Sequence, residues 1–260
     1  MKDSLGDRMK EFYENRTRIF LPRRTYTIIR VDGKAFHTYT RGLDRPFDMK
    51  LVEDMDETAC YMCKNIQGAK LAFVQSDEIS IVLTDFDNLN TDAWYDGNIQ
   101  KITSISASLA TAKFNELRQM RYIKNRFDDG VTNVTYRWME LLEGLKTALF
   151  DSRTFTIPTK TEVINYLIWR QQDTVRNSIS SVAQYHFSPK ELHGKSTNEM
   201  QDMIHERGMN WNDFQPKLKR GRLILKEAYD KDGASRTRWV STECPTFTQD
   251  INIHTIIPDN

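Results

Sequence analysis

The sequence predicts a mixed α/β protein: a catalytic unit in which an antiparallel sheet flanked by helices follows a βαββ order, then helical and basic C-terminal parts. Three observations carry this. An apolar, β-branched run at 27–31 ends in Asp32-Gly33, where a strand must stop or turn. A stretch of helical period follows at 48–66. Two more apolar runs, 70–75 and 79–84, are joined only by Ser76-Asp77-Glu78, so they form a hairpin with acids at its tip. The catalytic domain is expected over residues 1–150, and residues 151–260 are expected to pack on the same core.

A chain of 260 residues can bury one sizeable core with an annex. Its 37 basic and 36 acidic residues nearly cancel, so any nucleic-acid surface must come from local asymmetry. Three cysteines give no disulfide framework, and no apolar run suits a signal peptide or membrane span. A reduced, cytoplasmic, soluble protein with no membrane partner is expected.

In chain order, Leu5, Met9 and Phe12 at helical spacing give a short amphipathic helix within 3–17. Pro22 stops it and a first strand runs 25–31. Residues 38–47, with Arg41, Gly42, Arg45 and Pro46, form a basic loop near the first carboxylate. Asp48 caps the next helix, whose buried face is Leu51, Val52, Met55, Ala59, Met62, Cys63 and Ile66, and Gln67-Gly68 ends it. Small residues from Ser104 to Ala112 let a second long helix, 98–119, lie close on the sheet. A turn is expected at 125–130, a helix within 134–149, and an edge strand from Phe150 to Pro158. Thr159 or Thr161 caps a third helix with Val163, Ile164, Leu167, Ile168, Val175, Ile179 and Val182 inward. Two late strands are expected at 222–226 and 237–241.

The chemistry centres on the acidic turns. Strands side by side would converge Asp32 and Asp77, and converging carboxylates are costly to hold unless a cation lies between them. Magnesium is the economical cation, and magnesium points to phosphate chemistry. Lys34, His37, Arg41, Arg45 and Lys101 supply the cations that a triphosphate needs beside metal. Three other motifs carry no site. Cys60 and Cys63 have metal spacing but no second pair, and Gly194-Lys195-Ser196-Thr197 lacks the preceding strand and first glycine of a phosphate loop. His186, His193 and His205 lack companions at ligand spacing.

Four stretches then resemble a known family in order and approximate spacing: Ile29-Arg30-Val31-Asp32-Gly33-Lys34-Ala35-Phe36-His37, Gln75-Ser76-Asp77-Glu78-Ile79-Ser80, Phe150-Asp151-Ser152-Arg153 and Tyr166-Leu167-Ile168-Trp169-Arg170-Gln171-Gln172-Asp173. They resemble the tRNA-His guanylyltransferase family, and within it the guanylyltransferase-like 3′-to-5′ polymerase branch that repairs tRNA 5′ ends. The resemblance implies a polymerase palm-like fold and a nucleotidyltransferase acting on tRNA with ATP and GTP or other nucleoside triphosphates. It implies that Asp32, the Gly33 carbonyl and Asp77 hold two magnesium ions, with Glu78 beside them as a further catalytic acid. Lys34, Ala35, Phe36, His37, Arg45, Ser76 and Lys101 match nucleotide-contacting positions. RNA is expected against Arg153, Arg170, Asn177, Lys195, Lys217, Lys219 and Arg220. The resemblance also implies a homotetramer.

One stretch departs from the family pattern. Where eukaryotic tRNA-His enzymes read His-Ile-Asn-Asn-Leu-Tyr-Asn, this chain reads Val175-Arg176-Asn177-Ser178-Ile179-Ser180-Ser181, which keeps only Asn177. Templated repair of 5′-truncated tRNA is therefore expected over guanosine addition at position −1 of tRNA-His. Two rivals share part of the pattern. A nucleotide cyclase has the same βαββ order, but the hairpin lacks the Gly-Gly of diguanylate cyclases; a non-catalytic tRNA-binding module would not need both acids intact.

Overall fold

The computed structural model describes residues 4–128, 146–249 and 253–259. Helix α1 (Ser4–Phe12) leads by way of a short 3-10 turn to strand β1 (Tyr26–Gly33). A single helical turn, α2 (Phe36–Tyr39), precedes helix α3 (Met49–Asn65), and the hairpin follows as β2 (Ala69–Gln75) and β3 (Glu78–Leu83). Helix α4 (Ile99–Asp128), edge strand β4 (Phe150–Ile157) and helix α5 (Lys160–His186) come next, and the hairpin β5 (Arg222–Lys231) and β6 (Ala234–Glu243) closes the sheet. The strand order is β4-β1-β3-β2-β5-β6, antiparallel at every junction.

Alternation along the strands sends side chains to two cores. Ile29, Val31, Ala72, Val74, Ile79 and Ile81 pack against Met55, Ala59 and Met62 of α3 and Phe114 of α4. On the other face, Tyr26, Ile28, Leu71, Phe73 and Val82 meet Val163, Ile164, Tyr166 and Leu167 of α5. A third cluster joins the far end of α5, at Ile179 and Val182, to Leu192, Ile204 and Trp211 in a helical annex. The βαββ order, the Asp48 cap on Leu51 N (2.7 Å), the Thr159 cap on α5 and the edge position of β4 all match the sequence expectations. Gly68 is dictated by a close approach: a Cβ there would lie 2.5 Å from the Thr84 carbonyl oxygen.

Several boundaries differ. The turn expected at 125–130 is helical through Asp128, since no Gly or Pro occurs in Ile99–Asp128; residues 129–145 lie outside the described residues, and 146–149 are not helical. The close-packing face of α4 uses Ile102, Ser106, Ala110 and Phe114, with Ser106 Oγ 2.7 Å from Ser152 Oγ of β4, whereas Ser104, Ser108 and Ala112 face solvent. Both late strands run beyond their expected ends, since the outer half of that hairpin is exposed on both faces and shows no alternation. Asp232 and Gly233 turn it at positive φ (57° and 77°). Helix α1 buries none of its residues, leaving Leu5, Met9 and Phe12 exposed.

Asp54 ties the two helices of one layer together. It is fully buried in α3 and accepts from Arg118 Nη1 (3.0 Å) and from Arg121 Nε of α4. Removing the acid leaves Arg118 without its counter-charge and Arg121 with Glu53 alone, so Asp54→Ala is expected to cost about 3 kcal/mol in urea unfolding. The more exposed partner Glu53, 2.8 Å from Arg121, should cost about 1 kcal/mol or less as Glu53→Ala. Equal costs for the two substitutions would show that Asp54 is not the tie.

Candidate active site

Strand β1 carries Asp32 and Gly33 at its end, and the register sets Asp32 directly opposite Glu78 of β3. The next residue completes the junction: Gly33 N–H donates to the Asp77 carbonyl oxygen at 3.2 Å. The two acidic turns are thus fastened backbone to backbone, as the sequence reading required. Gly33 is the residue that fits, since a Cβ there would lie 2.2 Å from the Phe36 ring beneath it. Ser76, at the hairpin tip, holds φ 43°, a conformation uncommon for residues other than glycine.

Burial pushes the Asp77 carboxyl up to about 6; the Ser76 hydroxyl opposes the rise and the Asp32 charge adds to it. No basic side chain among the described residues forms an ion pair with Asp32 or Asp77. An acid raised chiefly by burial, with a second acid beside it, is a donor set whose charge a divalent cation would offset. Among the described residues no group of three His, Cys, Asp or Glu forms a closed metal cage. Magnesium takes one or two carboxylates and completes its shell with water and substrate phosphates, so the donor set of Asp32 and Asp77 could hold it.

Glu78 does not stand free beside them. It is buried, and Arg170 of α5 grips both its oxygens, Nε to Oε1 at 2.8 Å and Nη2 to Oε2 at 2.7 Å. The structure thus places Glu78, expected as a further catalytic acid, and Arg170, expected on RNA, together in one buried ion pair. Arg170 is 7 % exposed and also reaches Asp173 (3.0 Å). Two more bonds fasten α5 across the hairpin: Tyr166 Oη with Ser80 Oγ (2.7 Å), and Thr174 Oγ1 to Gln75 Oε1. The polar Trp-Arg-Gln-Gln-Asp stretch has the composition of a surface, but it crosses a polar row of the sheet.

A pocket of about 360 Å³ opens at the hairpin tip. Its walls are the basic loop with His37 and Arg45, the hairpin with Gln75 and Ser76, α5 with Thr174, Asn177 and Ser178, and Lys217 with Arg222. Five residues singled out in the sequence therefore meet here: His37, Arg45, Ser76, Asn177 and Lys217. Others do not. Phe36 turns its ring into the core against Phe114 and Phe150, and Lys101 lies outside the pocket lining with Nζ 5.7 Å from the Tyr95 ring. Lys219, expected on RNA, is buried; its ammonium donates to the Asn212 carbonyl and lies 5.2 Å from the Trp211 ring. Lys195 is exposed on the annex and pairs with Glu199 at 3.0 Å. Arg220 is partly buried beside the pocket wall, and Arg153 is half exposed on β4.

Sequence reasoning gave Arg222 no role in the site. It is 4 % exposed, held by Asp56 (Nε to Oδ1, 2.6 Å), and its buried Nη2 has no hydrogen-bond partner among the described residues. Arg222 thus lines the pocket with its guanidinium anchored by Asp56 and one buried donor unpaired among the described residues. The basic run at 217–222 was the available signal, but the sequence could not tell which of its members turns inward.

The raised Asp77 carboxyl has a thermodynamic consequence. Its folded value, about 6, lies above the ordinary carboxylate value, so the folded state binds the proton first as pH falls. In chelator-treated protein this acid therefore opposes folding above about pH 6 and ceases to do so toward about pH 4, a span worth on the order of 2 kcal/mol. Asp77→Asn should raise the melting temperature of the chelated protein at pH 7.5 and leave it little changed at pH 4.5. A lowered melting temperature at pH 7.5 would contradict the strain assigned to Asp77.

Comparison with known proteins bears on this geometry. A family profile described as tRNAHis guanylyltransferase matches residues 6–158. A solved bacterial tRNA(His) guanylyltransferase-like protein in complex with ATP is 44 % identical, with a TM-score of 0.80 over 97 % of this chain and 99 % of that one. The same kind of protein in complex with GTP is also 44 % identical, with a TM-score of 0.77 over 98 % and 99 %. A probable tRNA(His) guanylyltransferase of Dictyostelium discoideum is 27 % identical over 218 residues, covering 78 % of this chain and 75 % of that protein. With a palm-like α/β sheet that brings two acidic turns together beside a basic pocket, the chain belongs to the tRNA(His) guanylyltransferase family of nucleotidyltransferases.

Proposed function

We propose that this nucleotidyltransferase extends the 5′ end of tRNA in the 3′-to-5′ direction, and that its principal task is templated repair of 5′-truncated tRNA. The observation that carries the reading is the single pocket wall shared by the acid hairpin, the basic loop and α5, where Ser76, Arg45 and Asn177 meet. A nucleoside triphosphate fits such a wall: cations for its phosphates, and buried donors for its base. In the activation step an oxygen of the RNA 5′-phosphate attacks the α-phosphorus of ATP or GTP and pyrophosphate leaves. In the addition step the 3′-hydroxyl of an incoming nucleotide gives up its proton and attacks the activated 5′-phosphorus, and the nucleoside monophosphate leaves.

Asp32, the Gly33 carbonyl and Asp77 are the groups that would hold magnesium, which when bound polarises phosphate oxygens and acidifies a hydroxyl. The chain's own residues do the rest. Arg170 clamps Glu78 and thereby fixes the hairpin that presents Asp77. Arg45 and Lys217 set positive charge along the pocket, and His37 and the Asp56-anchored Arg222 line it beside them. The exposed Leu5, Met9 and Phe12 of α1 offer an apolar face for assembly with further copies of the chain.

Branch choice rests on the α5 segment 175–181. Asn177 and Ser178 line the pocket, but Ser178 Oγ accepts from Trp211 Nε1 at 3.1 Å and is engaged in structure. With most of the asparagines of the tRNA-His motif missing, discrimination falls to the template base of the acceptor strand. The second reading, guanosine addition at position −1 of tRNA-His, is supported by the activity named for the family and for the Dictyostelium relative.

Two tests follow. Asp32→Ala and Asp77→Ala should each lower nucleotide addition by about a thousandfold or more in a chain that still folds; near wild-type turnover in Asp77→Ala would remove the site. For the branch, a tRNA lacking its first nucleotide should receive whichever nucleotide pairs with position 72, and changing that base should change the product. The competing substrate is full-length tRNA-His with A or C opposite the −1 position. Faster guanosine addition to it than repair of the truncated tRNA would decide for the second reading.

A further inference from the structure

The sheet carries an unusual charge ladder on the face that meets α5. Across the β1–β4 junction Arg30 is set opposite Arg153, and one pleat further on Asp32 is set opposite Asp151. Like charges directly opposite one another weaken a strand pair. Arg153 is partly offset by Asp151 at 3.1 Å, but Arg30 keeps its Nε buried with no hydrogen-bond partner among the described residues.

Above this ladder stands Trp169 of α5. Its side chain is one of the few large apolar groups of that helix left in water, 48 % exposed, beside charged neighbours. The indole is held on edge by Tyr166, 5.9 Å between ring centres. Two guanidinium groups lie against it, Arg170 at 4.5 Å and Arg30 at 5.9 Å from the ring centroid. Arg170 is committed to Glu78 and Asp173, so it is already neutralised; Arg30 is not so engaged. A half-exposed aromatic ring packed on Tyr166, bordered by the unoffset Arg30 two residues along the strand from Asp32, has the form of a base-stacking platform with a phosphate contact beside it.

The strand order fixes its position relative to the nucleotide pocket. Gln75 of β2 lines that pocket, and Arg30 and Arg153 lie on β1 and β4, so the acid-bearing ends of β1 and β3 separate the two places. We propose that Trp169, Arg30 and Arg153 seat the RNA 5′ end, with the terminal base stacked on Trp169 and the 5′-phosphate drawn to the two arginines. This rests on the reading of the chain as an enzyme acting on an RNA 5′ end, and assigns that end a place distinct from the triphosphate's. It also accounts for the like-charged pairs: the arginine pair meets phosphate, while the aspartate pair adjoins the catalytic turns.

The test uses the full chain and a 5′-monophosphorylated, 5′-truncated tRNA whose first base is 2-aminopurine, with a 5′-hydroxyl version as control. Binding to wild-type protein should quench the probe. Trp169→Leu should abolish the quench and weaken binding of the phosphorylated RNA by about tenfold, while ATP binding, measured separately, stays unchanged. Trp169→Phe, which keeps a ring, should restore part of both signals. Arg153→Gln, at an exposed position, should reduce the preference for the phosphorylated end over the hydroxyl end. A full quench in Trp169→Leu, or a Trp169→Phe variant no better than Trp169→Leu, would overturn the proposal. Loss of quench in Trp169→Leu, together with a wild-type protein that quenches the probe but extends no RNA, would uphold the seat and count against the proposed reaction instead.

Discussion

Two carboxylates can serve one reaction centre only if the backbone holds them together against their own repulsion. Here that constraint is met by the junction of β1 with the β2–β3 hairpin: the Asp32–Glu78 register and the Gly33 N–H bond to the Asp77 carbonyl. The cost is visible in Asp77, whose carboxyl is raised to about 6 by burial and by Asp32. Much of the surrounding polar structure serves to keep the junction rigid. Phe36 fills the space under Gly33 from one side, and α5 presses on the hairpin from the other.

Helix α5 links fold to chemistry most directly. Its first half is apolar on the face that meets the sheet, through Val163, Ile164 and Leu167. At Tyr166, Arg170 and Thr174 the same face turns polar, because the strands beneath it end in Ser80, Glu78 and Gln75. Beyond that it lines the pocket with Asn177 and Ser178 and packs on the annex through Ile179 and Val182. One rigid element therefore touches the apolar core, the acid hairpin and the pocket. A buried pair such as Arg170–Glu78 adds little net stability, yet losing one partner strands the other. Its value here is in orientation.

How far the sequence could be read followed from how much each segment depends on distant partners. Strand β1, helix α3 and the β2–β3 hairpin have strong local periods and a cap at Asp48, and their acids interrupt otherwise apolar runs, so both the elements and the convergence of Asp32 with Asp77 were legible. The pocket residues His37 and Arg45 were legible because they follow Asp32 closely in the chain. Glu78, Arg170 and Lys219 were not, since a charged side chain gives no local sign that a partner far away in sequence will bury it. The pairing of β4 with β1, which sets Asp151 opposite Asp32 and Arg153 opposite Arg30, depends on a register that no local pattern encodes. The outer part of the β5–β6 hairpin, exposed on both faces, carried no period at all.

The central claim is that Asp32 and Asp77 form one cation-dependent centre adjoining the nucleotide pocket. Manganese, which replaces magnesium in such sites and is visible by electron paramagnetic resonance, tests it directly in the presence of a non-hydrolysable ATP analogue. The account predicts two bound ions per chain in the wild type, and weaker binding or loss of an ion in Asp77→Asn with the analogue still bound. An unchanged number and affinity of ions in Asp77→Asn would contradict it.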